Sequence, residues 1–465
     1  MSSRPATDSP FLTAPMGRLF LSNALPMIVV MSMGGLLNLV DAAFLGHFVG
    51  ADALAAVSIV FPAVMISIAL STLISGGMSS LLARHLGAGE RDQAAAVFAR
   101  AHGLSLCLSL LLIAAFVIGG QAAIGQLAGA RGGIAAMAHT YLFILICGTP
   151  VQFLLGVHAD ALRNEGRAGL MALMSIGVTL ANVALDYLLI VVLDYGVAGS
   201  AWGTVAAQGL GLLLLLGLRL GGARLLPLAA LGRCRWVGNW RAILALGAPL
   251  SLSFVGLALV SATVIATLRL TAGSDYADTV AAYGIATRVF GLAFLPQMAI
   301  ALAAQSIVGN NVGAGLYPRS DAALRYALGS VLAYCLMVEL LLLGTSRWIG
   351  AGFTADPVVV AQLGAILRAM SLLYLVSGPI LVLALYFQAV GQPGRAAALT
   401  LTKPFLLSPA LIIAFATLSG PALLWFAFPA ADSVMLAIAS ALAIISLRRR
   451  AGGKGFGLET TGDTP

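Results

Sequence analysis

Charge is scarce in this sequence: Asp, Glu, Lys and Arg make up 9% of its 465 residues, against 60% hydrophobic. A soluble domain carries about 25% charged residues, because much of its surface meets water. That excludes a water-soluble protein, and lipid is the solvent for most of this chain. Cysteine is sparse too. Cys107, Cys147, Cys234 and Cys335 stand singly, which excludes a disulfide framework and a cysteine metal site. The first, second and fourth read as packing residues in apolar runs, and Cys234 as a free loop thiol. The five histidines are isolated, with no HExxH pair and no nucleophile beside them. No GxxxxGK[ST] loop occurs, so ATP does not drive this chain directly. GAGERD (87–92) follows no strand and is not a dinucleotide loop. No cofactor and no resident metal are expected.

What is present is a series of long apolar runs, each about 20 residues or more, enough to cross a bilayer. They are continuous, as in LLLLLGLRL (212–220), and lack the alternation of barrel strands, so the spans are helices. Twelve fall at 19–44, 54–84, 94–120, 134–159, 167–193, 199–220, 241–270, 279–309, 321–348, 358–389, 395–418 and 423–447. Residues 1–18 are polar and bear prolines, which is no cleavable signal. The net charge of +8 is almost all arginine, placed in short loops, so nucleic acid is not an expected partner. Arg4, Arg84, Arg91, Arg163, Arg167, Arg219, Arg224, Arg233, Arg319, Arg395 and Arg450, among others, gather on one side. Only Arg131, Arg269 and Arg347 lie on the other. The positive-inside rule then puts both termini in the cytoplasm, in a cell inner membrane.

The two halves repeat. GGMSSLLARHLGAGERDQAA (76–95) matches LAAQSIVGNNVGAGLYPRSDAA (302–323) through GAG and the Ser seven residues before it. NEGRAGL (164–170) matches QPGRAAA (392–398), and Pro26 matches Pro249. The offsets of 223 to 228 define a duplication of six spans. The expected organisation is an N-terminal tail (1–18), an N-lobe (19–220), a linker (221–240), a C-lobe (241–447) and a C-terminal tail (448–465). Six is even, so the halves enter from the same side with a cavity between them, which is a transporter architecture.

Ionised side chains inside a membrane are costly and mark function or pairing. Asp41 closes the first span in LLNLVDAAFLGHF. Asn182 and Asp186 stand four apart, on one face of the fifth. Thr204 lies in GSAWGTVAAQ of the sixth. Two carboxylates, an amide and a hydroxyl suit a hard monovalent cation such as Na⁺, or a pair that binds and releases protons. The repeat places Val264, Ala410 and Ala414 at the positions of Asp41, Asn182 and Asp186, so the C-lobe has no copy of this cluster. It has charges of its own, Arg288, Glu339, Arg368 and Asp432 with Lys403, expected as an internally paired network. Pro26, fifteen residues before Asp41, is a candidate hinge in the first span.

The sequence resembles the multidrug and toxic compound extrusion (MATE) transporters along nearly its whole length. The likeness rests on LVDAAFLGHFVGADALAAVSIVFP, GGMSSLLARHLGAGERDQA, NVALDYLLI and the echo QSIVGNNVGAG. It implies an all-α membrane protein of twelve helices in two pseudo-symmetric six-helix lobes, working by alternating access. Asp41, Asn182, Asp186 and Thr204 resemble the DinF-like pattern, in which N-lobe acids couple to H⁺ or Na⁺ and the first helix bends at the proline matched by Pro26. The NorM-like pattern needs acids in PLSLSFVGLALVS (249–261) and SLLYLVSGPILVLAL (371–385), and neither has one. The resemblance implies an antiporter, most simply a monomer among membrane lipids, that exports small amphiphilic or cationic compounds and is not an enzyme. A flippase for a lipid-linked or polyketide-like product, and a polytopic membrane enzyme or receptor, are the alternatives.

Overall fold

In a computed structural model the described residues are 9–128, 132–221, 226–353, 356–449 and 455–456. Arg4, Arg131, Arg224 and Arg450 lie outside them, as do residues 457–465 of the tail. No strand occurs among the described residues. The long helices are α1 (Met16–Phe44), α2 (Ala51–Gly87), α3 (Arg91–Ala128), α4 (Gly132–Cys147), α5 (Thr149–Asn164), α6 (Ala168–Asp186) and α7 (Gly196–Gly221). They continue with α8 (Trp240–Thr271), α9 (Tyr276–Gly313), α10 (Tyr317–Phe353), α11 (Pro357–Ser371) and α12 (Tyr374–Ala389). The last are α13 (Pro393–Thr402), α14 (Ser408–Ser419) and α15 (Ala427–Arg449). Ten helical spans are long and apolar enough to cross a membrane among the described residues, and twelve if each of two bent pairs counts as one.

Those bent pairs break spans that read as continuous in the sequence. α4 and α5 meet at 46° and α11 and α12 at 50°. The first break falls at Gly148 of GTP (148–150), where Pro150 has no N–H to give the preceding turn. The second has no such residue. Leu373 takes φ +65°, a left-handed conformation unusual for a branched side chain. Glu339 compensates for this break. Its carboxylate, 8% exposed as a residue, accepts the N–H groups of Leu373 (3.2 Å) and Leu375 (2.8 Å) at the start of α12. A helix that begins inside a membrane has unpaired N–H donors and a positive dipole end, and one carboxylate answers both. Replacing Glu339 with Ala strands these donors, and the expected loss is about 2–4 kcal/mol of stability. Thermal unfolding in detergent checks this, with Glu339→Gln falling between Ala and wild type.

The chain forms two compact units, and their border differs from the expected linker at 221–240. One unit holds Leu25–Ser251 with the segment ending at Thr13; the other holds Ala14–Ala24 and the chain from Leu252 onward. Two of the three borders, 24/25 and 251/252, lie within a turn of the repeat-related prolines, Pro26 in α1 and Pro249 in α8. Packing explains the shift. The linker lies on α3, where the Trp240 indole donates to the Arg100 carbonyl (3.1 Å). The first turns of α8 then press on α2: a Cβ on Gly77 would overlap the Ile243 carbonyl, and one on Gly247 the Leu73 carbonyl. Ser251 Oγ donates to the Ala69 carbonyl (2.7 Å). In the other unit, Arg319 donates to the Ala14 carbonyl (2.8 Å), holding the first turns of α1.

Two arginines read as loop charges are buried. Arg163 is 0% exposed, bonded to Ser79 Oγ (2.9 Å) and Asp160 (3.0 Å). Arg219, 3% exposed, joins Glu165 (2.9 Å), His158 Nδ1 (3.0 Å) and the Leu226 carbonyl. Burial pushes the Glu165 carboxyl above its ordinary range, against the pull of Arg219. His158 continues to His102 (3.1 Å between Nε2 atoms), so two histidines isolated in the sequence meet in the fold. Of the cysteines, Cys147 is exposed at the end of α4, where it was expected to pack inside.

Candidate functional site

The fold brings Asp41 and Asp186 together. Asp41 lies in the last turn of α1 and Asp186 is the last residue of α6. A π-helical segment follows each, Leu45–Val49 and Tyr187–Val192, and the two segments pack together. The wider π turn re-aims the chain just after each acid. The carboxyls of Asp41 and Asp186 lie within hydrogen-bonding reach of each other. Asn182 and Asp186 are fully buried, and Asn182 Nδ2 approaches Asp186 Oδ1 at 3.4 Å.

The spacing that lets this happen lies on α7. Gly199 and Gly203 are four apart, so they share a face. A Cβ on Gly199 would come within 3.0 Å of the Leu189 backbone, and one on Gly203 would overlap Asp186 Oδ1. Two glycines thus let α6 and its π segment settle onto α7 at backbone distance. The motif GSAWGTVAAQ contains this GxxxG spacing beside Thr204, the residue the sequence reading singles out. Thr204 is half-buried and makes no hydrogen bond to either acid among the described residues. Tyr141, from α4, was also missed. It is buried at 9% exposure and lies near both acids. Nothing in its local sequence distinguishes it from other tyrosines.

The electrostatics of the cluster are unbalanced. No protein donor reaches Asp41 Oδ1, Asp186 Oδ2 or Asn182 Oδ1, all buried. Buried oxygens of this kind need compensation, and two touching carboxyls cannot both stay ionised alone. A shared proton or a small hard cation would supply it. Gly203→Ala pushes the Asp186 carboxylate out of place. The expected result is a loss of transport of about tenfold or more at near-normal protein yield, read from transport rates in vesicles.

The C-lobe charges do not form the network expected of them. Glu339 binds backbone N–H groups, Asp432 pairs with Lys403, and Arg368 donates to Ser346 Oγ (3.1 Å). Among the described residues, no ion pair joins Arg288, Glu339, Arg368 and Asp432 to one another. Backbone N–H donors freed by the break in the span take up Glu339, and they do not show in a balance of side-chain charges.

Comparison with known proteins agrees with this architecture. The MatE family profile matches residues 26–188 and 249–414, once in each half, each match opening at one of the paired prolines. The FAD transporter of Shewanella oneidensis is 27% identical over 91% of this chain and 93% of its own. The multidrug export protein MepA of Staphylococcus aureus is 26% identical over 43% of this chain and 44% of its own. A MOP superfamily transporter from Pyrococcus furiosus has the same fold, with a TM-score of 0.86 at 22% identity, covering 96% of this chain and 100% of that one. With two matched halves, an all-α fold of membrane spans and relatives that are transporters, this chain belongs to the MatE family, a multi-pass membrane transporter and not an enzyme.

Proposed function

We propose that this protein is a secondary antiporter that exports small amphiphilic or cationic organic compounds in exchange for H⁺ or Na⁺ bound between Asp41 and Asp186. The observation that carries this reading is the pair of carboxyls in contact, with buried oxygens that no protein donor reaches. An ion entering this site satisfies those oxygens and changes the charge at the end of α1. Pro26, with no N–H for the ladder of α1, gives that helix a place to bend in response. An ion can shift the conformational equilibrium only by its difference in affinity between two states, and a site closed by α1 provides such a difference. The working arrangement is a monomer in the inner membrane, with both termini cytoplasmic.

A second reading is export of a metabolite of the flavin nucleotide kind. It is favoured by the length of the likeness to the FAD transporter, 91% of this chain, against 43% for MepA. Inverted membrane vesicles given ethidium or FAD in separate runs divide the two. A broad exporter moves ethidium under an imposed gradient, whereas a dedicated metabolite exporter moves FAD alone.

A further inference from the structure

Only two of the chain's 25 basic residues are lysines, and one of them, Lys403, stands near the middle of the span Pro393–Leu418. It opens the π-helical segment Lys403–Leu407 and is followed by Pro404, so the backbone ladder is interrupted there. Its ammonium bonds Asp432, which stands near the middle of its own span, Leu423–Arg448. The two side chains are unequally exposed, Asp432 at 6% and Lys403 at 31%. An ammonium has three N–H donors; Asp432 takes one, and the open side of Lys403 leaves room for another acceptor.

The same asymmetry runs through the lobe. Both intramembrane acids, Glu339 and Asp432, are buried and engaged. Arg288 and Arg368 are exposed, and Arg368 has a serine hydroxyl, not a carboxylate, as its partner. Acids turn inward and cations outward. A cation without a counter-charge at membrane depth does not rest against hydrocarbon; it faces water or an anion. Interrupted spans near the bilayer midplane are where secondary transporters hold their substrates.

We infer that the C-lobe carries an anion-binding face centred on Lys403, which holds a phosphate or carboxylate group of the transported compound. This rests on the transport reading above and adds to its cargo amphiphiles that bear an anionic group. Asp432 keeps Lys403 charged and aimed while the site is empty, and Arg288 and Arg368 add positive potential on the same lobe. The N-lobe acids then serve the ion and the C-lobe cations serve the cargo.

The test uses the full chain in neutral-lipid vesicles, with FAD as the phosphate-bearing probe and ethidium as the cationic one. The double variant Lys403→Gln with Asp432→Asn removes both charges and strands neither. The expected result is a KM for FAD raised about tenfold or more, with kcat and ethidium transport much less affected. Lys403→Arg, which keeps the charge, recovers most of the FAD affinity. An unchanged KM for FAD, an equal fall for both probes, or a wild type that does not move FAD overturns the inference. If these cations serve anionic lipid headgroups instead, wild-type transport of both probes depends on added anionic lipid and the double variant loses that dependence, which also overturns it. Asp186→Asn is run alongside. If it leaves gradient-driven transport intact, the coupling site is wrong while the KM comparison for Lys403 still stands.

Discussion

Asp186→Asn is expected to remove gradient-driven efflux, by on the order of 100-fold, at normal membrane insertion. The size follows from a coupling free energy of about 3 kcal/mol between ion and cargo. The substitution is isosteric, and the new amide oxygen still accepts from Asn182 Nδ2, now 3.4 Å from Asp186 Oδ1. Packing on Gly203 is kept because no atom is added. What disappears is the charge. Asp41 then faces a neutral neighbour that neither releases a proton nor contributes a second carboxylate to a cation. The ion loses its difference in affinity between the two states, so its gradient no longer biases the transport cycle. Downhill equilibration of cargo survives in the variant, whereas accumulation against a gradient does not. Vesicle transport with and without an imposed gradient separates these outcomes. Asp41→Asn is expected to behave alike, because the pair acts as a unit.

Gly77→Val and Gly247→Val are expected to cost the fold itself, about 3 kcal/mol or more each. Both glycines lie where α2 and α8 cross with backbones almost in contact. A Cβ on either meets a carbonyl of the other helix, and a main-chain atom cannot move aside as a side-chain tip can. The whole crossing must open, and with it the packing of the first turns of α8 on the unit of residues 25–251. Thermal unfolding in detergent and the yield of inserted protein report this. Gly119→Ala is the control: it is in the same unit, and an added Cβ meets nothing within 4 Å. It is expected to leave stability unchanged or slightly raised, since Ala is the better helix former.

The spans were legible because a bilayer demands long apolar helices whatever their packing. The breaks at Gly148 and Leu373 were not legible, because hydropathy runs unchanged across them. Asp41 and Asp186 stand out in the sequence because an acid inside an apolar run costs too much to be incidental, and Asn182 because it stands four residues before Asp186. Gly199 and Gly203 stood in a quoted motif, but their role depends on which helix approaches, and spacing alone does not say that. Tyr141 joins the site purely through tertiary packing. The pairing of Glu339 failed for a related reason, since its partners are backbone N–H groups created by a break the sequence does not announce. His102 and His158, 56 residues apart, meet only in the fold.

In the proposed antiport, an ion bound between Asp41 and Asp186 drives the export of cargo. The most direct test is to energise inverted vesicles, follow the pH gradient with a fluorescent indicator, and add ethidium or FAD. The Na⁺ gradient is followed in a parallel run. Cargo is expected to dissipate one of the two gradients in wild-type vesicles and neither in Asp186→Asn vesicles. Equal dissipation in wild type and variant, or none of either gradient in wild type, would contradict this coupling.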